Sequence, residues 1–282
     1  MTSLANLKIG FIGGGNMASA LIGGLINQGA LAKNMFVADP FDQTRQRLER
    51  DLSIICAASV DKLAPHIENC DVLVMAVKPQ QFKEAATELS LVLKSHASKP
   101  LCLSVAAGIK TADMAKWLGH QRIIRAMPNT PALIGEGMTG LFADSNISAT
   151  DKSLASSICE AVGKIVWVDS EKQMDDITAV SGSGPAYVFA FLESLEKAAI
   201  AQGLSQEQAR LLAIQTLQGA AKLAAQSSES PATLRERVTS KGGTTYAALT
   251  VLEQESWANI MMKAVAAASD RSEAMGEEFS KQ

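Results

Sequence analysis

The sequence predicts an α/β protein in two parts: a doubly wound, mainly parallel sheet over residues 1–170, then an all-helical domain over 171–282. Three observations predict it. From residue 8 to about 167, short apolar runs alternate with amphipathic stretches, which is the pattern of βαβ units. At the front of that pattern, residues 8–18 pass from an apolar strand through a glycine turn into a helix. From about Glu171 onward Ala, Leu, Glu and Gln dominate with helical spacing and no strand-like alternation.

The glycine turn comes first in the chain and says most about function. Gly13, Gly15 and Ala18 fit the spacing of the dinucleotide-binding, Rossmann-type turn. The first permits the tight turn, the second a close backbone approach, and the third close packing of helix on strand. A pyrophosphate would sit at the helix N-terminus, where unpaired N–H groups and the helix dipole both favour an anion.

Further strands are expected at 35–38, 54–56, 72–77 and 101–105, nearly continuous in apolar residues, as strands covered on both faces must be. Others are expected at 122–126, 138–142 and 164–168, with a helix at 151–161. Asp39 closes the second strand about 20 residues past the glycine turn, where an acidic side chain accepts hydrogen bonds from a ribose and favours NAD. Two alternatives stand beside this: Asp39-Pro40 starts a turn with Asp42 capping the next helix, or Arg45 and Arg47 reach a 2′-phosphate. Ala76-Val77-Lys78-Pro79 and Ala106-Ala107-Gly108 end two further strands on the side where open α/β sheets bind ligands. In Met127-Pro128-Asn129-Thr130-Pro131, two prolines preset the backbone around polar side chains at the same sheet edge.

In the helical half, Ser181-Gly182-Ser183-Gly184-Pro185 breaks one helix and starts another, which stops near Gly203. Ser205 with Gln208 is a capping box, and Ser230-Pro231 another helix start. Residues 186–201 are apolar on most faces, so that helix is expected to be buried; a small helical domain has little interior, and a second subunit would supply it. Thr239-Ser240-Lys241-Gly242-Gly243-Thr244-Thr245 precedes a further helix. Its two glycines at a helix N-terminus offer a second anion site lined by hydroxyls.

Composition removes several function classes. With 47% hydrophobic and 20% charged residues and a net charge of −3, the chain has no basic field for nucleic acid. No apolar run approaches the ~18 residues of a membrane span, and no basic, apolar, small-residue leader pattern is seen, so a cytoplasmic protein is expected. Cys56, Cys70, Cys102 and Cys159 are scattered without C-x-x-C, and His66, His96 and His120 are equally dispersed, so no metal is expected.

Taken together in their order, Phe11-Ile12-Gly13-x-Gly15-Asn16-Met17, Ala76-Val77-Lys78-Pro79, Ala106-Ala107-Gly108, Arg125-Ala126-Met127-Pro128-Asn129-Thr130-Pro131, Ser181-Gly182-Ser183-Gly184-Pro185-Ala186-Tyr187 and Gly242-Gly243-Thr244-Thr245 resemble the motifs of pyrroline-5-carboxylate reductases over essentially the whole chain. The resemblance implies reduction of 1-pyrroline-5-carboxylate to L-proline by NADPH, the family default, or NADH. It also implies a homo-oligomer, a dimer joined through the helical domain and sometimes a decamer. Carried over, Ile12, Gly13, Gly14, Gly15, Asn16 and Met17 would hold the pyrophosphate; Ala76, Val77, Lys78, Pro79, Ala106, Ala107 and Gly108 would line the cofactor cleft; Pro128 and Asn129 would lie near the nicotinamide. Ser240, Gly242, Gly243, Thr244 and Thr245 would bind substrate, with the Thr245 hydroxyl reaching the ring nitrogen. Lys241 stands where the family usually has proline. Two other readings compete: a β-hydroxyacid-type dehydrogenase, for which Lys197 and Lys222 are candidates by residue type alone, and a non-catalytic dinucleotide sensor.

Overall fold

The computed structural model describes residues 4–94 and 99–281; His96 lies outside the described residues. Eight strands form one sheet: β1 (Ile9–Ile12), β2 (Met35–Ala38), β3 (Ile55–Ala57), β4 (Val72–Met75), β5 (Leu101–Ser104), β6 (Ile123–Met127), β7 (Gly137–Ala143) and β8 (Gly163–Trp167). Their order is β3-β2-β1-β4-β5-β6-β7-β8, with every neighbouring pair parallel except β6 and β7. All eight lie within two residues of the expected positions. β6 and β7 run antiparallel because residues 128–136 hold only the 3-10 turn Thr130–Ile134, too short for the crossover that parallel strands need.

Helices α1 (Asn16–Asn27), α2 (Asp42–Leu52), α3 (Ala64–Ile67), α4 (Pro79–Leu93), α5 (Thr111–Leu118) and α6 (Ala149–Glu160) connect the strands. Strand side chains alternate between two apolar layers. Ile9, Phe11, Val37, Val74 and Leu103 face α1, α2 and α6; Phe36, Leu73, Met75 and Cys102 face α3, α4 and α5. This is why the strands read as continuous apolar runs: both faces are covered.

The remaining helices are α7 (Gln173–Ile177), α8 (Gly184–Ala201), α9 (Gln206–Gln226), α10 (Pro231–Arg237), α11 (Thr244–Gln254) and α12 (Trp257–Ser280). Between α7 and α8 the chain makes a π-turn over Thr178–Gly182, closed by the Ser183 N–H donating to the Thr178 carbonyl at 2.8 Å. The capping box at Ser205 and the Ser230 cap both form. Two compact units result: residues up to Ser183 together with those from Ala268 onward, and Gly184–Ala267. By packing, the division falls after Ser183 rather than near 170. Ile177 explains the difference, since it lies so close on β7 that a Cβ at Gly140 would come within 2.5 Å of it.

One expectation changes form. Helix α8 is not buried in the single chain: Val188, Phe189 and Phe191 are exposed, Phe189 by 64%. The apolar face that the sequence assigns to an interior has no interior within its own unit.

Candidate active site

The β1 turn begins at Gly13, whose φ of +96° lies in the left-handed region and whose N–H donates to the Ala38 carbonyl at 2.8 Å. A side chain there would strike the Ala76 carbonyl at 2.7 Å, so the turn is pressed against the end of β4. Gly14 is enclosed differently, by Leu48 and Thr44 of α2. Gly15 is the N-cap of α1, makes no side-chain cap, and faces open space. The first N–H groups of α1 therefore receive no side-chain cap from Gly15 at the open side of the turn, the arrangement that suits a phosphate. Ala18 is fully buried against the sheet, as its place in the motif requires.

Asp39 is 6% exposed. Its Oδ2 accepts the Gly14 N–H at 2.8 Å and its Oδ1 accepts the Phe41 N–H at 2.9 Å, so the carboxylate ties the glycine turn to the end of β2 and makes its own two-residue turn. Asp42 does not cap α2; it is the first helical residue and pairs with Arg45 and Gln46. Arg45 also donates to the Asp39 carbonyl at 2.8 Å, and Arg47 reaches the Gly14 carbonyl and the Ser19 hydroxyl. A cleft of about 250 Å³ opens beside these groups, lined by Ile12, Gly13, Pro40, Ser59, Val77 and Gln81. Ser59 and Gln81 carry no motif of their own.

Ala76, Val77, Lys78 and Pro79 follow β4, with Lys78 as the exposed N-cap of α4 and Pro79 in its first turn. Ala106, Ala107 and Gly108 follow β5, with Gly108 at φ +74°. These turns lie at the C-terminal ends of adjacent parallel strands, beside the point where strand order reverses between β1 and β4. Pro128 is buried, and the Asn129 amide is committed to backbone. Its Nδ2 donates to the Ser181 carbonyl at 3.0 Å and its Oδ1 accepts the Met138 N–H at 2.9 Å. Asn129 thus fixes the π-turn and the start of β7 with the side chain that the family resemblance would put near the nicotinamide.

Beneath this edge, Arg125 donates to Glu171 at 2.8 Å, and the Glu171 carboxylate also accepts the Thr111 N–H at 2.7 Å at the start of α5. The sequence reading passed over this clamp. Its signal was a single arginine inside the apolar run of β6.

The second turn lies in the unit Gly184–Ala267. Gly242 has φ +74°, and the Gly243 N–H donates to the Ser240 carbonyl at 3.0 Å. Gly243 is the N-cap of α11 and lacks a side-chain cap, so the N–H groups of Thr244 and Thr245 open the helix without a capping side chain. Ser240 and Lys241 flank them, both exposed. Among the described residues no group of His, Cys, Asp or Glu is placed to hold a metal ion, and no helix is long and apolar enough to cross a membrane.

Comparison with known proteins agrees with both halves. Residues 171–275 match the family described as pyrroline-5-carboxylate reductase dimerisation, and residues 8–108 match NADP oxidoreductase, coenzyme F420-dependent. The pyrroline-5-carboxylate reductases of Pseudomonas aeruginosa and Pasteurella multocida are 41% and 43% identical, each over 96% of this chain and 98% of its own length. The solved structure of a pyrroline-5-carboxylate reductase from Coxiella burnetii superposes with a TM-score of 0.89 at 41% identity, covering 95% of this chain and 98% of the other. That from Plasmodium falciparum, with NADP bound, gives 0.83 at 34% identity, covering 96% and 99%.

Proposed function

The chain belongs to the pyrroline-5-carboxylate reductase family, and from that premise we propose how its residues divide the work. The protein is an NAD(P)H-dependent oxidoreductase that reduces the C=N bond of 1-pyrroline-5-carboxylate to give L-proline. The observation that carries the reading is the pair of helix starts at Gly15 and Gly243, both without a side-chain cap, in a chain related to these enzymes along its whole length.

Ile12, Gly13, Gly14, Gly15, Asn16 and Met17 hold the pyrophosphate, and Ala76–Pro79, Ala106–Gly108 and Pro128 line the remainder of the cleft. Held there, a reduced nicotinamide would supply the hydride for the imine carbon. Gly243, Thr244 and Thr245 hold the substrate carboxylate through backbone N–H groups, with Ser240 and Gly242 shaping the turn. The Thr245 hydroxyl hydrogen-bonds the ring nitrogen and orients it; a threonine hydroxyl is too weak an acid to give up the proton at neutral pH, so water supplies it. Asp39 acts on the cofactor side through the turn it braces, and Arg45 and Arg47 supply positive charge near the ribose, so NADPH is accepted.

The helical region 171–282 serves as the dimerisation and substrate-binding domain, supported by the exposed apolar side chains of α8 and α9. Assembly of dimers into a decamer follows the family's habit. The cytoplasm is the working compartment, in keeping with four unpaired cysteines.

The test is steady-state oxidation of NADPH and NADH, each with and without pyrroline-5-carboxylate. Oxidation that requires the substrate with either cofactor is the expected result. Substrate-independent oxidation, or none, would sink the reading.

A further inference from the structure

The last turns of α12 do something that the earlier turns do not. Before Ala268 this helix buries no residue, whereas beyond it one stripe is engaged. Ser269 and Ser272 donate to Asp176 and Asp175 at 3.0 and 2.7 Å, Gly276 is buried, and Phe279 enters the apolar layer of Ala106, Ile109 and Met114. The spacing 269, 272, 276, 279 is that of a single helix face. The other buried members of that layer all come from residues 12–123, so Phe279 joins it from the far end of the chain.

Gly276 is where this face meets the turn after β5. A Cβ at Gly276 would lie 2.9 Å from the Gly108 carbonyl oxygen, closer than backbone tolerates. Seen from the other side, a Cβ at Gly108 would meet Met275 Cβ at 3.5 Å and the Phe279 ring at 3.6 Å. Helix and turn are therefore in backbone contact, with a left-handed glycine on one side and a helical glycine on the other. Within the turn, the Ala106 N–H makes a long bond, 3.3 Å, to the Ser104 hydroxyl. Packing from behind sets where such a turn stands.

We propose that the end of α12, through Gly276 and Phe279, is a positioning element that holds the Ala106–Gly108 turn at the depth the dinucleotide requires. This rests on the cofactor cleft assigned above. Neither residue touches cofactor or substrate; both act through the turn.

The experiment compares Gly276→Ala, Phe279→Ala and a control, Leu93→Ala, which opens the same apolar layer from the end of α4. NADPH Kd is read by fluorescence titration of the full-length protein, alongside Tm and the separate KM values for NADPH and pyrroline-5-carboxylate. Alanine is a better helix former than glycine, but its methyl group would sit 2.9 Å from the Gly108 carbonyl oxygen, so Gly276→Ala should lower Tm as it displaces the turn. Its NADPH Kd and KM should rise by about fivefold or more, with KM for pyrroline-5-carboxylate unchanged. Phe279→Ala should lose NADPH affinity and Tm together, whereas Leu93→Ala should lose Tm alone. An unchanged Kd in Gly276→Ala overturns the inference, as does an equal loss of affinity in Leu93→Ala and Phe279→Ala. Failure of the wild-type protein to bind NADPH would instead remove the proposed function beneath it.

Discussion

Asp39 shows at the scale of one residue how a position is legible while its partner is not. An acidic residue at the end of the second strand stands out in the sequence, but its acceptor bonds go to the Gly14 and Phe41 N–H groups, a choice that depends on α2 folding over the glycine turn. Asp39→Ala should leave two backbone N–H groups without their acceptors and loosen the turn, at a cost of about 1–3 kcal/mol. NADPH and NADH should then both bind about tenfold more weakly, with their Kd ratio unchanged. A ratio that swings strongly toward NADPH would show the carboxylate selecting at the ribose instead. Thr245→Ala belongs to the substrate side: kcat should fall about tenfold or more while NADPH Kd stays put. Equal loss of cofactor binding would refute that assignment. His120 is a residue the sequence left mute. Its Nδ1 accepts the Arg122 N–H at 3.2 Å, which leaves the ring proton on Nε2, 3.5 Å from the Cys102 sulfur. Burial, then the charges of Lys99 and Arg122, push its pKa down to about 4. Between its unfolded value of about 6.5 and 4, the unfolded chain takes up a proton that the folded chain refuses, so stability falls as pH falls through that window. After discounting for partial exposure the effect is about 1 kcal/mol, or roughly 2–4 °C in Tm. His120→Asn, which keeps an acceptor without a basic nitrogen, should lose less Tm between pH 6.5 and 4; parallel Tm curves would reject this.

At the scale of elements, the clamp of Arg125, Glu171 and Thr111 ties β6, the start of α5 and the chain just before α7 into one edge. Arg125 is 5% exposed, so removing its partner strands a buried guanidinium. Glu171→Ala should cost about 3 kcal/mol, read as a lower midpoint in urea. Glu171→Gln, which retains acceptors for Thr111, should cost less. Equal losses would mean that the charge alone carries the clamp and that the acceptor for Thr111 adds nothing. The strands themselves were legible because both faces are covered and period-two alternation gives continuous apolar runs. The clamp was not, because its three members are distant in sequence and meet only when β6 takes its place beside β5.

For the whole molecule the decisive quantity is apolar surface left without cover. Phe189, Leu211, Val251 and Met262 are all more than half exposed in the unit Gly184–Ala267. A soluble single chain would be poorly served by so much apolar surface, and a second copy of the same unit is the proposed cover. Sedimentation should give twice the 29.8 kDa of one chain, or a multiple of that dimer. Phe189→Asp together with Leu211→Asp should shift the protein toward monomer. A monomeric wild type at micromolar concentration would contradict the proposed assembly.

The sequence by itself determined the order of strands and helices, the glycine turn and the second turn at Gly242–Thr245, because each depends on local spacing: period two, period 3.6, or glycine at a fixed offset. Only the tertiary structure decided that Asp39 braces Gly14, that Asn129 spends its amide on Ser181 and Met138, that α7 joins the sheet unit, and that α12 ends against Gly108. Each of those is a contact between segments far apart in the chain. Such contacts arise when the backbone's buried donors and acceptors must all find partners in a packed interior, and no local pattern encodes which partner will be nearest.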